Sequence, residues 1–517
     1  MKALLMHLDR DFDLQQPLPA HAPVLSKDLE LATLLGAMAD KDEFVFKVAQ
    51  RALLTGMGND LETILYRQEI ARDAVRNPPI VRQLYALAIE AIEQKRKNYF
   101  GYFGNYPSSI LHGSVQVVRI FMEILKKIRA LAEAAPGGFE SRGFTALFSM
   151  IRDEFSDAYF ASIQAHLLQL KFNDGVLLSA RLGQGNQGKD YVLHPSQERQ
   201  SGWLKRVLGR RSTGYTIHIH PRDDAGAKAL AALRDQGIAR VAEVLSQSME
   251  HMLGFFEMLR TELAFYVGCI QLHDRLRQIQ APVTFPDPRP TGEGSHHFSE
   301  LYDACLALNM GRRILGNAVD ADGKQLVIIT GANQGGKSSF LRSVGLAQLM
   351  MQCGMFVAAQ SFTAELCSGV FTHYRREEDS TMMSGKLDEE LARMSAIADL
   401  IRPRALMLFN ESFASTNERE GAQIARQIID ALLEHEIKIF CVTHLYALSH
   451  PLFVQEGAKA MFLRAERAPD GTRSFQLAAG EPLETSYGED LYRIVFAHAG
   501  APDAVAEAGD SSTAGPI

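Results

Sequence analysis

Tryptophan occurs once and cysteine five times in 517 residues. The cysteines, Cys269, Cys305, Cys353, Cys367 and Cys441, are scattered without a CxxC pair, which argues against a zinc ribbon or a disulfide framework and for buried thiols in a reducing compartment. A long apolar run is also missing at the start. MKALLMHLDRDFDL reaches acidic residues after one short stretch, too brief for a signal-peptide core or a membrane helix, so the chain reads as cytoplasmic with no membrane contact. Positive charge is scarce too: 54 Lys and Arg face 61 Asp and Glu, a net −7. Any contact with nucleic acid therefore has to come from a local basic patch. Hydrophobic residues at 46% and charged residues at 22% are ordinary globular values that speak against disordered, collagen-like and membrane-spanning classes, and the length suggests about three or four domains.

Metal-ligand patterns are thin. His218 and His220 lie in the alternating run Tyr-Thr-Ile-His-Ile-His, where a strand with one polar face suffices. His296 and His297 sit in a Gly- and Ser-containing loop that reads as having no carboxylate or cysteine partner nearby.

What is present is a change of periodicity along the chain. Residues 1–170 read as a helical core and lever, with apolar residues at three-and-four spacing in stretches such as Val115 to Leu131 and Leu147 to Leu170. Residues 171–222 shift to short alternating runs between Gly-, Asn- and Gln-rich turns, which suits a small β tip. Residues 223–280 predict a long returning helix: no proline occurs between Pro221 and Pro282, and Val241, Leu245, Met249, Met252, Phe256, Leu259, Leu263, Val267 and Ile270 mark one stripe. The stretch 281–297, with prolines at 282, 286, 288 and 290, reads as a linker. Residues 298–498 alternate buried strands with helices, and 499–517 read as a disordered tail. The fold class is thus multidomain, α followed by α/β.

The tip concentrates base. From Lys171 to Arg222 nine Lys and Arg face three Asp and Glu, and the lone Trp203 lies beside Lys205 and Arg206. Either this is a solvated face, or Lys205, Arg206, Arg210 and Arg211 contact DNA phosphates.

The chemistry sits further on. Leu326-Val-Ile-Ile-Thr330 is a buried-strand run leading into Gly331-Ala-Asn-Gln-Gly-Gly-Lys-Ser338 and then a helical pattern, which is GxxxxGK[ST] in its proper strand–loop–helix context. Gly331, Asn333, Gly335 and Gly336 let backbone N–H groups close on phosphate, Lys337 reaches the β and γ phosphates, and Ser338 ligates Mg²⁺, with Ser339 next to it. A second strand, Ala405 to Phe409, runs into Asn410 and Glu411. Glu411 is placed to deprotonate the attacking water. Asn410 stands where an Asp usually holds hydrated Mg²⁺; a neutral amide brings no charge, which predicts weaker Mg²⁺ binding or slow turnover. The strand Ile437 to Thr443 delivers His444 to the same end of the sheet, as a γ-phosphate sensor or as a structural histidine.

Together the run from Thr330 to Arg342, Met355-Phe-Val-Ala-Ala359, the strand end at Glu411, Val442-Thr-His-Leu445 and Ser486-Tyr-Gly488 resemble the ATPase domain of the MutS family, an ABC-type ATPase. The preceding helices and tip resemble that family's core, lever and clamp in layout. The resemblance implies a homodimer binding ATP and Mg²⁺ between one subunit's P-loop and a signature segment of the other, for which Ser384, Gly385 and Lys386 are the candidates, and Ser415-Thr-Asn417 resembles the loop crossing the dimer interface. No N-terminal mismatch-recognition domain is expected. The triplets Phe121-Met-Glu123 and Phe255-Phe-Glu257 match the family's Phe-x-Glu wedge in letters but fall in amphipathic helices.

The expected function is a dimeric, ATP-hydrolysing DNA clamp of repair or recombination that reads duplex or branched structure rather than mismatches and works with repair proteins. An ATP-gated dimer recruiting protein partners with little DNA affinity is the alternative. A small-molecule kinase fits less well, because no acceptor pocket is evident. Spacing does not choose among the aromatic residues that can stack on adenine.

Overall fold

The structure is a computed structural model in which residues 1–99, 106–135, 137–172, 175–186, 188–194, 217–376, 385–456, 459–467 and 473–484 are described. Trp203, Lys205, Arg206, Arg210, Arg211, Ser384, residues 486–488 and the tail from 499 lie outside the described residues. The fold is mixed, helical and α/β, and falls into two compact units. The first comprises Met1–Pro17, Leu35–Ala52 and Glu62–Asp274; the second comprises Leu18–Leu34, Leu53–Leu61 and the chain from Arg275 onward.

Helices dominate the first unit: Leu61–Arg76, Pro78–Tyr99, Pro107–Ala134, Arg142–Glu154, Asp157–Gln169 and the 55-residue Asp224–Gln278. Local chemistry sets their starts. Pro107 opens its helix, where a missing N–H costs nothing, while the hydroxyls of Ser141 and Ser156 accept from Phe144 N and Tyr159 N at 3.3 Å. In the long helix Met249, Phe256, Leu259, Leu263 and Ile270 are fully buried, whereas Leu230, Leu233 and Val244 are exposed. Phe121 meets Phe256 with ring centroids 5.1 Å apart, and Phe255 is 4% exposed, so both Phe-x-Glu triplets have their phenylalanines in the core. A two-stranded antiparallel hairpin, β1 (Leu177–Leu182) and β2 (Gly188–His194), carries exposed Arg181 and Lys189. The strand expected through His218 and His220 is corrected over its described part. Residues 217–220 form no strand, and Ile217 is 86% exposed, so no buried face exists to hold a register.

A buried carboxylate organises the start of this unit. Glu262, in the long helix and fully buried, accepts from Leu5 N at 2.5 Å and Phe12 N at 3.1 Å. Arg67 Nε donates to Met6 O at 2.7 Å, and the Tyr266 hydroxyl donates to Leu5 O. Burial pushes the Glu262 carboxyl up to about 7 against the pull of those N–H donors. Because the folded value lies above the ordinary one, this group favours the fold most below about 4.5 and loses that contribution as pH rises through about 7. Glu262→Gln removes the titration. The thermal-midpoint difference, wild type minus variant, is expected to fall between pH 4.5 and 7; a pH-independent difference would show that Glu262 keeps one protonation state.

The second unit is built on a six-stranded sheet and a four-stranded one. Its strands are β3 (Asp287–Arg289), β4 (His296–Leu301), β5 (Asn317–Asp320), β6 (Leu326–Gly331), β7 (Ser361–Glu365), β8 (Val370–Tyr374), β9 (Leu406–Asn410), β10 (Lys438–Val442), β11 (Ala460–Arg467) and β12 (Arg473–Ala479). The larger sheet has the order β12-β11-β6-β10-β9-β8, parallel except for β12. Leu326, Ile328, Met407, Phe409, Ile439 and Cys441 share a core with the helices Lys386–Leu400, Glu418–Glu434 and Tyr446–Glu456. The other face takes the helix Lys337–Gln352, which explains why these strands read as continuous apolar runs. The smaller sheet has the order β3-β7-β4-β5, so the Pro- and Gly-rich stretch 281–297 carries β3 and the start of β4. All five cysteines are buried, and no disulfide joins them. Among the described residues no helix is long and apolar enough to cross a membrane.

Candidate active site

β6 ends at Gly331 with φ 106°, and a Cβ there would lie 2.8 Å from Ala465 N and 2.9 Å from Ala465 O of neighbouring β11. Only glycine lets the strand pass so close and turn. Gly336, with φ 84°, is the N-cap of Lys337–Gln352 and offers no side chain to its first-turn N–H groups, which leaves them and the helix dipole for an anion. Lys337 is 5% exposed, and its ammonium donates to Gly331 O at 3.0 Å and Ala332 O at 2.9 Å. Burial pushes its proton affinity down while Glu411 opposes that.

β9 lies two strands from β6 and brings in Asn410, whose Oδ1 accepts from Ser338 Oγ at 3.0 Å. Glu411 follows in the left-handed region, φ 54°, as does Phe413 at φ 62°. Such backbone is strained for these residues and persists only where neighbours hold it. Glu411 N donates to Val442 O at 2.9 Å. His373 braces the same turn: its Nδ1 lies 2.7 Å from Ser412 Oγ, its Nε2 donates to Glu390 O at 3.0 Å, and its ring stacks on Phe413. Burial, with Arg393 nearby, lowers His373 to about 4, so the imidazole is a neutral strut at ordinary pH.

A cavity of about 630 Å³ joins these parts. Asn333, Gly335, Gly336, Lys337, Ser338, Ser339 and Glu411 line it, together with the apolar Leu306, Met310, Ile314, Leu315 and Phe475. Asn410 reaches it through Ser338. The oxygens of Ser338 and Asn410 are hard donors without charge, a set that suits a hydrated Mg²⁺ whose remaining ligands are phosphate oxygens and water. Periodicity did not single out the apolar end of the cavity. Phe475 is half exposed and sits at φ 58°, a conformation that a bulky residue rarely adopts. Two strand positions earlier, Arg473 Nε donates to Asn333 O at 3.2 Å. Asp303 forms part of the wall and is gripped by Arg342 of the P-loop helix, which also pairs with Glu30.

Comparison with known proteins matches residues 59–279 to the MutS2 N-terminal domain and residues 327–514 to MutS domain V. The chain belongs to the MutS family. Among relatives of this MutS-family chain, the DNA mismatch repair protein MutS of Chloroflexus aurantiacus is 29% identical over 349 residues, 59% of this chain and 36% of that protein. MutS protein homolog 4 of Homo sapiens is 23% identical over 313 residues, 58% of this chain and 32% of its own length. Endonuclease MutS2 of Streptococcus sanguinis is 23% identical over 362 residues, 68% of this chain and 44% of its own. The chain thus spans about a third to under a half of the length of these relatives.

His444 lies just beyond β10, exposed, and is not among the residues lining the cavity. Gly385 is the N-cap of Lys386–Leu400 and Lys386 its first residue. Asn417 caps Glu418–Glu434, its Oδ1 accepting from Glu420 N at 3.0 Å, while the Glu420 carboxylate accepts from Asn417 Nδ2 at 3.0 Å and Thr416 Oγ1 at 2.5 Å. The expectation that His296 and His297 lack a carboxylate neighbour is corrected: β4 pairs with β5, bringing Asp320 and Asp322 beside His297, whose Nδ1 lies 2.9 Å from Asp322 Oδ2. His296 is buried against Phe298, Phe362 and Phe440.

Proposed function

We propose that this MutS-family chain is an ATP-dependent DNA-binding protein that hydrolyses ATP as a homodimer and acts in DNA repair or recombination, binding DNA backbone or structure rather than specific mismatches. The observation that carries the reading is the convergence of Lys337, Ser338 and Glu411 on one cavity beyond the ends of β6 and β9, with Asn410 hydrogen-bonded to Ser338. Lys337 and the first-turn N–H groups bind the phosphates. Ser338 would ligate Mg²⁺ and Asn410 would hydrogen-bond a metal-bound water, and the ion would supply neutralisation of phosphate charge. The adenine lies at the apolar end, between Phe475 and the Ile314–Leu315 side. Glu411 takes the proton from the attacking water. His444 has no lining role in this scheme. Gly385 and Lys386, with Ser384, reach the partner's γ-phosphate across the dimer.

The helical unit supplies the levers, its 55-residue helix reaching about 80 Å at 1.5 Å per residue. The phosphate contacts come from the tip segment of the sequence, from Arg181 and Lys189 and from Lys205, Arg206, Arg210 and Arg211. A second reading, an ATP-gated dimer that recruits protein partners with little DNA affinity, is favoured by the net charge of −7 and by neutral Asn410.

Steady-state ATP hydrolysis with homoduplex, mismatched and branched DNA, together with DNA affinity against salt, separates them. The clamp predicts stimulation that ignores mismatches, and a log–log salt slope that steepens by about 0.9 for each phosphate neutralised. It also predicts a shallower slope after Lys205, Arg206, Arg210 and Arg211 are changed to Ala. A flat slope with hydrolysis indifferent to every DNA would establish the second reading instead.

A further inference from the structure

Arg375 follows β8 by one residue, and no expectation from the sequence included it. β8 pairs with β9 in register Tyr374↔Asn410, and the next backbone N–H, that of Arg375, donates to Asn410 O at 2.9 Å. This fixes Arg375 directly across the sheet edge from Glu411. Its guanidinium Nη1 stands 3.9 Å from Glu411 Oε2, with the two side chains 43% and 31% exposed. An ion pair so open to water adds little to folding, so a role for it has to be sought in the site. Glu411 lines the same cavity as Lys337, whose proton affinity it raises, and pairs with Arg375. Glu411 sits in the left-handed region one residue past β9, and a carboxylate at the end of several side-chain torsions has rotamer freedom unless something restrains one oxygen.

We propose that Arg375 is a positioning residue for hydrolysis: its charge, 3.9 Å from Oε2 of Glu411 and beyond hydrogen-bond range, draws that oxygen toward β8 and leaves Oε1 to face the water that attacks the γ-phosphate. In that step the water O–H bond breaks, its proton passes to Glu411, the water oxygen bonds to the γ-phosphorus, and the bond from that phosphorus to the bridging oxygen of ADP breaks. Arg375 exchanges no proton. The inference rests on the ATPase reading above and deepens it.

The test compares Arg375→Ala, Arg375→Lys, Glu411→Gln and the double variant Arg375→Ala with Glu411→Gln, measuring ATP affinity and single-turnover hydrolysis on each full chain. Arg375→Ala is expected to keep ATP affinity within about threefold while its hydrolysis rate falls by roughly tenfold, as misorientation of a base predicts. Arg375→Lys, which keeps the charge, recovers most of the rate, and Arg375→Ala adds nothing once Glu411 is already Gln. An unchanged rate, a loss of affinity that accounts for the whole effect, or an additive loss in the double variant would overturn the proposal and leave the ATPase reading standing. Wild-type chain without hydrolysis would remove the ATPase assignment and this inference with it, whereas Glu411→Gln as active as wild type would move the base elsewhere and overturn this inference alone.

Discussion

Glu411→Gln is expected to bind ATP with near wild-type affinity and to lose hydrolysis by about two to four orders of magnitude, the range that removal of a general base produces. The carboxamide fills the same space on the same left-handed turn, so Glu411 N still donates to Val442 O and His373 still braces Ser412. What disappears is the proton acceptor in the cavity. Lys337→Ala is the contrasting control. It removes the ammonium that donates to Gly331 O and Ala332 O and with it the charge that meets phosphate, so affinity itself should collapse. Nucleotide titration followed by a single-turnover assay distinguishes the two. Hydrolysis by Glu411→Gln within about threefold of wild type would move the base elsewhere.

Arg342→Ala is expected to cost about 3–5 kcal/mol of stability, the penalty for leaving a buried charge without its partner. The Asp303 side chain is 1% exposed and Arg342 15%. Besides the guanidinium, Asp303 has a capping bond from Leu306 N at 3.1 Å, which satisfies one lone pair but not the charge. The same carboxylate forms part of the nucleotide cavity wall beside Tyr302 and Leu306, so ATP affinity should fall along with stability. Arg342→Lys keeps the charge yet loses the fork that spans Asp303 and Glu30, and an intermediate loss is expected. Denaturant unfolding of the full chain reads the effect. A loss below about 1 kcal/mol would mean that Asp303 is protonated or rehydrated once the guanidinium is gone.

The sequence by itself determined those features whose physics is local. Leu326 to Thr330 had to be a buried strand, Gly331 to Ser338 a phosphate-type loop and the following residues a helix, because continuous apolarity, glycine freedom and three-and-four spacing each act over a few residues. The stripe from Met249 to Ile270 was legible for the same reason. Residues 217–220 misled, because alternation promises a strand only where one face is buried, and here none is.

Tertiary structure decided everything that depends on register and strand order. His297 acquires Asp320 and Asp322 because β4 runs antiparallel to β5. Glu262 captures Leu5 N across 257 residues, and Glu30 reaches Arg342 across 312. Arg375 stands beside Glu411 because the sheet sets β8 next to β9, in a register that no periodicity encodes. Periodicity records which face of an element is buried. Which partner buries it depends on how crossover connections order the strands, and that is a property of the whole chain.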